Sequence, residues 1–160
     1  MWNRMTKNRK IWFAILSALV LLWTTIIFLQ SAKNGVESTM ETNELIEIME
    51  KVASYVGAEI EVRPHLLRKL AHFFEYAVLG CLTALWGWNL EKRRVLFGSW
   101  GYAVLVALAD EFVVQRLTEG RGPSFLDVLI DSSGAAVTVL LILALWYICD
   151  RRREKLKKAC

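Results

Sequence analysis

The stretch RKLAHFFEYAVLGCLTALWGW, Arg68 to Trp88, decides the fold. Most of it is apolar enough to lie in a bilayer, yet its first two turns carry Arg68, Lys69, His72 and Glu75. A charge turned toward lipid costs about 2.5–3.5 kcal/mol at a helix centre even on the lenient scales. Arg68, His72, Glu75 and Leu79 are spaced by four, three and four residues, so on a helix they share one face. That face needs polar partners from elsewhere in the chain.

Working outward, three more apolar segments appear, and the predicted spans are about 11–30, 72–90, 95–114 and 125–149. The chain has 160 residues and is 55% hydrophobic, with a positive mean hydropathy. These values point to a membrane protein with one domain, 1–160. The first span holds no charged residue, and Gln30 stands where a signal-peptide cut after Ala32 would need a small residue. It reads as an uncleaved helix. Pro64 and Pro123 each precede a segment, where proline is tolerated at a helix start.

The net charge of +4 does not indicate nucleic acid, because the basic residues sit in short runs beside the spans. Arg4, Lys7, Arg9 and Lys10 precede the first; Lys92, Arg93 and Arg94 join the second to the third; the tail 150–160 is strongly basic. Four spans put all three runs on one side, which predicts cytoplasmic N and C termini. The sequence thus predicts an all-α membrane protein with four transmembrane helices in a bacterial cell membrane. An outer loop, 31–65, would contain an amphipathic extracytoplasmic helix, with Leu45, Ile48, Met49, Val52 and Val56 at helical spacing and Thr42 or Asn43 as its cap. That helix reads as a cover for the bundle or a lid over a site. Its glutamates argue against an anionic-lipid anchor.

Every charge that enters a span enters at the same, outer end. The third span closes with Asp110, Glu111 and Gln115, and the fourth opens with Asp127 and Asp131, Asp131 being the deepest. Arg116 and Arg121 lie in the turn between them. These groups can face one another, and water, in place of lipid. They form either an ion-pair network that fixes packing or a functional site, the default reading for intramembrane ionisable groups. Gly80, Gly134 and Ala135 suit close helix contact, and the seven tryptophans suit interfacial anchoring. Cys81, Cys149 and Cys160 show no zinc or redox spacing and read as incidental thiols.

The runs RKLAHFFEYAVLG, ADEFVVQ, GR and DVLIDSSGA, in that order, resemble the VanZ-like family of bacterial membrane proteins. The resemblance covers about Arg68 to Thr138. It carries over to Lys69, His72, Tyr76, Asp110, Glu111, Gln115, Arg121, Asp127, Asp131 and Gly134. The family form has Gln four residues after the Asp, often preceded by His; here Gln115 is five after Asp110 and follows Val114. Glu119 stands before GR where proline is common. The resemblance implies a role at the cell envelope, the founding member being associated with teicoplanin resistance.

Two functions from different classes follow. In the first, the outward-facing pocket binds a lipid-linked cell-wall precursor or an amphiphilic glycopeptide, with Arg68, Lys69 and Arg121 holding phosphates. In the second, a membrane-embedded enzyme acts on a lipid or lipid-linked substrate. His72 would then act as acid or base, or join Glu75, Glu111 and Asp127 around a divalent metal. No nucleophile elbow, P-loop or HExxH pattern is present, so binding is the favoured expectation. The sequence names no cofactor. A purely structural role is the third option. Transport is disfavoured because the polar groups stop at the outer half.

Overall fold

A computed structural model describes residues 6–90, 93–120 and 122–159. Five α-helices run through it: α1 (Lys7–Ser31), α2 (Gly35–Tyr55), α3 (Pro64–Asn89), α4 (Arg93–Ala109) and α5 (Phe125–Ala159). A π-helical segment, Asp110–Gln115, continues α4 without a break. No strand occurs among the described residues. Four helical stretches are long and apolar enough to cross a membrane: Lys7–Ser31, Pro64–Asn89, Val95–Gln115 and Phe125–Leu156. They correspond to the four expected spans. The second begins earlier than its apolar run, because Pro64 starts the helix at its first position.

The stacking order follows from the contacts. Helix α3 is central, packing against α5 most extensively and against α1 and α4 as well. Small residues let these helices approach closely, the usual basis of association in lipid. A β-carbon on Gly134 would lie 2.2 Å from the carbonyl oxygen of Phe73, and one on Gly80 would lie 2.7 Å from Ala135 Cα. Both glycines therefore serve α3–α5 contact, as their positions suggested. The core beside them is formed by Ile27, Tyr76, Leu79, Ala103, Val106, Ala107 and Ala135.

The two ends of the bundle differ. At one end the start of α1 meets the end of α3: Arg9 donates to the Asn89 carbonyl, and Asn89 Nδ2 returns a bond to Arg9 O at 3.1 Å. This is the basic end. At the other, Ser31 at the end of α1 meets the π-helical segment, and Lys69 near the start of α3 meets the start of α5. This polar end gathers the ionisable groups.

Two expectations change. The helix after the first span starts at Gly35, and its cap is Asn34, whose side chain accepts from the Glu37 N–H at 2.8 Å; Thr42 and Asn43 lie inside it. Its stripe of Leu45, Ile48, Met49 and Val52 is substantially exposed, with Leu45 bordering a cavity against Leu67 and Ala71 of α3. The start of α2 abuts the α4–α5 turn, where Gly35 N donates to Glu119 O at 3.0 Å and Gly120 has φ +75°. The tryptophans also depart from simple anchoring. Trp23, Trp86 and Trp100 donate to Glu75 O, Ser17 Oγ and Ser132 O of neighbouring helices, and Trp88 stacks on Trp146. A buried indole N–H needs an acceptor, and here it finds one across the helix interface.

Candidate functional site

The polar end is assembled from four helices. Helix α3 contributes Arg68, Lys69, His72, Glu75 and Tyr76 from its first turns. The π-helical segment contributes Asp110, Glu111 and Gln115. Helix α5 contributes Asp127 in its first turn and Asp131 one turn deeper. Helix α1 contributes Ser31, which the sequence did not single out.

The π-helical turn has a specific consequence. On an α-helix, residues five apart point about 140° away from each other. A π turn closes i→i+5 hydrogen bonds instead. Gln115 thereby comes round to Asp110, and its Nε2 donates to Asp110 Oδ2 at 3.2 Å. Asp110 and Gln115, five residues apart in the sequence, are thus direct partners in this chain. Ser31 Oγ donates to the same Asp110 oxygen at 2.8 Å. Asp110 is therefore held by its own segment and by α1.

Burial divides the carboxylates. Asp110 and Glu111 are fully buried, Asp131 is 1% exposed, and Gln115 is buried beside them. Glu75 and Asp127 are only partly buried. Lys69 Nζ lies 3.3 Å from Asp127 Oδ1, with both side chains about one-third exposed. His72 Nδ1 lies 3.7 Å from Glu75 Oε2, an ion pair when the imidazole is protonated. Tyr76 is fully buried. Neither its hydroxyl nor either oxygen of Asp131 has a hydrogen-bond partner among the described residues. The Asp131 carboxylate also feels the charges of Asp110, Glu111, Asp127 and Glu75.

Two cavities open onto this cluster. One, of about 220 Å³, is bordered by His65, Arg68, Lys69, His72, Asp127 and Asp131. The other, of about 230 Å³, lies between α2 and α3, bordered by Ser38, Glu41, Arg68, His72 and Glu75. Arg68 and His72 border both. His65 was missed in sequence because it precedes the apolar run; its place one turn before Lys69 was the available signal.

The sequence-predicted residues thus converge, with two exceptions. Arg121 lies outside the described residues, as do Arg4, Lys92 and Cys160. Arg116, which follows the π turn, is exposed. Of the four side chains considered as metal ligands, only His72 enters the tightest group of donors. Asp110 and Asp131 join it, where spacing alone had suggested Glu75, Glu111 and Asp127.

A family model described as VanZ/LLP1 matches residues 15–147, which take in α1 through most of α5 and the whole cluster. The chain belongs to the VanZ-like family. Together with its four apolar helices, this makes it a multi-pass membrane protein. No curated protein and no solved structure matches the chain. In this VanZ-like chain the short motifs DE…Q and D-x-x-x-D meet at the same end of the bundle, with Asp110, Glu111, Gln115 and Asp131 buried and Asp127 at the rim.

Proposed function

We propose that this VanZ-like protein binds the anionic head group of an envelope amphiphile, either a lipid-linked cell-wall precursor or an acylated glycopeptide, and so contributes to tolerance of teicoplanin-type antibiotics. In this reading the basic end is cytoplasmic and the polar end faces outward from a bacterial cell membrane. The observation that carries it is the 220 Å³ cavity, where His65, Arg68 and Lys69 stand at the end of a membrane bundle above buried carboxylates. Arg and Lys side chains at such a mouth form charge-assisted bonds to phosphate. The apolar flanks of α3 and α5 would leave an attached lipid chain in the bilayer. Helix α2, bordering the neighbouring cavity, would act as the lid.

A second reading, an enzyme acting on the same lipid-linked ligand, draws on one observation: His72 lies beside Asp110 and Asp131. The two share the binding step.

The test is teicoplanin susceptibility of a sensitive Gram-positive host carrying empty vector, wild type, Glu111→Gln or Asp127→Asn at matched membrane levels. Wild type is expected to protect, and at least one variant to lose most of that protection. Absence of protection by wild type would remove the tolerance reading. Equal protection by all three would reduce the cluster to helix packing.

A further inference from the structure

The geometry points to a divalent-cation site formed by His72, Asp110 and Asp131. One donor atom of each residue lies within 4.8 Å of the other two. Three ligands on one ion with bonds of about 2.0–2.2 Å and angles of about 90–120° lie about 2.8–3.8 Å apart, so closure asks for side-chain shifts of about 1 Å or less. The three residues come from α3, the π-helical segment and α5, so a bound ion would cross-link three spans.

Asp131 supplies an independent reason. It is 1% exposed, and neither carboxylate oxygen has a hydrogen-bond partner among the described residues. A buried carboxylate without bonds is strongly disfavoured unless a cation or a proton compensates it. Lys69, one of the cations that border the same cavity, is engaged with Asp127 at 3.3 Å. Asp131 instead shares its space with the His72 and Asp110 donors, which is where a metal ion would sit. Asp110 is already oriented, since Ser31 and Gln115 both donate to its Oδ2. Outer partners of that kind commonly fix metal-ligating carboxylates.

The donor chemistry selects among ions. One imidazole with two carboxylates suits Mn²⁺, Fe²⁺ or Zn²⁺ better than the all-oxygen preference of Ca²⁺. His72 and Asp131 both border the basic cavity, so coordination positions left open would face it. A phosphate or water entering that cavity could occupy them. The cation site stands on the triad alone, whatever the amphiphile proves to be, and its test uses metal without any lipid ligand.

The full chain in detergent, stripped with EDTA and desalted, is titrated with Mn²⁺ while the free-ion paramagnetic resonance signal is followed. Thermal unfolding is recorded in parallel with and without the ion. One saturable Mn²⁺ per chain is expected, displaced by Zn²⁺ and accompanied by a rise in Tm. Asp131→Asn and His72→Gln should weaken binding at least tenfold and abolish the Tm rise, while Glu47→Gln on exposed α2 should bind as wild type. Melting in EDTA establishes that each variant is folded. No saturable binding by wild type, or unchanged binding by a folded Asp131→Asn or His72→Gln variant, would overturn the site.

Discussion

The two halves of this bundle handle buried polar groups in opposite ways. In the half nearer the basic end, polar side chains find partners across the helices. Trp86 Nε1 donates to Ser17 Oγ at 2.9 Å, and Ser99 Oγ donates to Thr83 O at 2.9 Å. At the polar end, the Tyr76 hydroxyl and both Asp131 oxygens are buried with no hydrogen-bond partner among the described residues. Groups that only fix packing are satisfied by the protein itself; a buried polar atom left over is a place to look for a ligand. The polar end is also where the helices are locked at backbone distance, and where the α4 ladder switches to a π turn.

The largest effect is expected from the lock. Gly134→Ala would drive a methyl group to 2.2 Å from a backbone oxygen of α3, which no side-chain rotation can relieve. Overpacking of this kind costs about 1–3 kcal/mol and more where backbone must move. The variant should lose most of its cooperative melting transition in detergent. Gly98, in α4, has no atom within 4 Å of its would-be β-carbon, so Gly98→Ala should melt at or slightly above wild type. Equal melting of the two variants would break the contrast between a locked polar end and a looser half.

Much of the fold was legible for a simple reason. Apolar runs long enough to span a bilayer and basic runs beside them are one-dimensional signals, and Gly80 and Gly134 sit where two spans must touch. The cluster was legible because charges at one end of three spans have nowhere else to go. What spacing could not give was depth and partner. Glu75 and Asp131 both lie inside spans, yet Glu75 borders the cavity between α2 and α3 and is half-buried, while Asp131 meets His72 and Asp110 and is almost sealed. Spacing five residues apart gives no contact on an α-helix, and only the π turn brings Gln115 to Asp110. The stripe on α2 has the right period for burial, yet most of it stays exposed.

A second comparison separates stability from function. Asp131→Asn removes an unpartnered buried charge, so metal-free protein should melt no lower than wild type and gain up to about 1–3 kcal/mol. The same substitution should abolish activity in the susceptibility assay. A loss of more than about 1 kcal/mol would mean that the carboxylate is held by the fold itself, and the two halves would not differ. Ser17→Ala in the other half should do the reverse. It strands the Trp86 indole, at a cost of about 1 kcal/mol, and leaves susceptibility unchanged. With Trp86→Phe added, the double variant should lose less than the sum of the two single losses, the mark of one shared bond.

The smallest change in stability is expected at Lys69, and it discriminates most finely. The Lys69–Asp127 pair is about one-third exposed, and pairs of that kind contribute about 0–1 kcal/mol. Lys69→Met keeps much of the apolar stem, so its Tm should stay within a degree or two of wild type. If the pair were packing glue, nothing else would change. If Lys69 guards the mouth of an anion-binding cavity, binding of a polyprenyl pyrophosphate in mixed micelles should weaken severalfold, with a shallower dependence on salt than wild type. Asp127→Asn tests the same pair from its other side. It frees Lys69 from a competing carboxylate, so pyrophosphate should bind as tightly or more tightly while protection of cells falls, if Asp127 contacts the uncharged part of the ligand. Parallel loss in both variants would instead mean that the ion pair sets the shape of the mouth, and that neither charge meets the ligand directly.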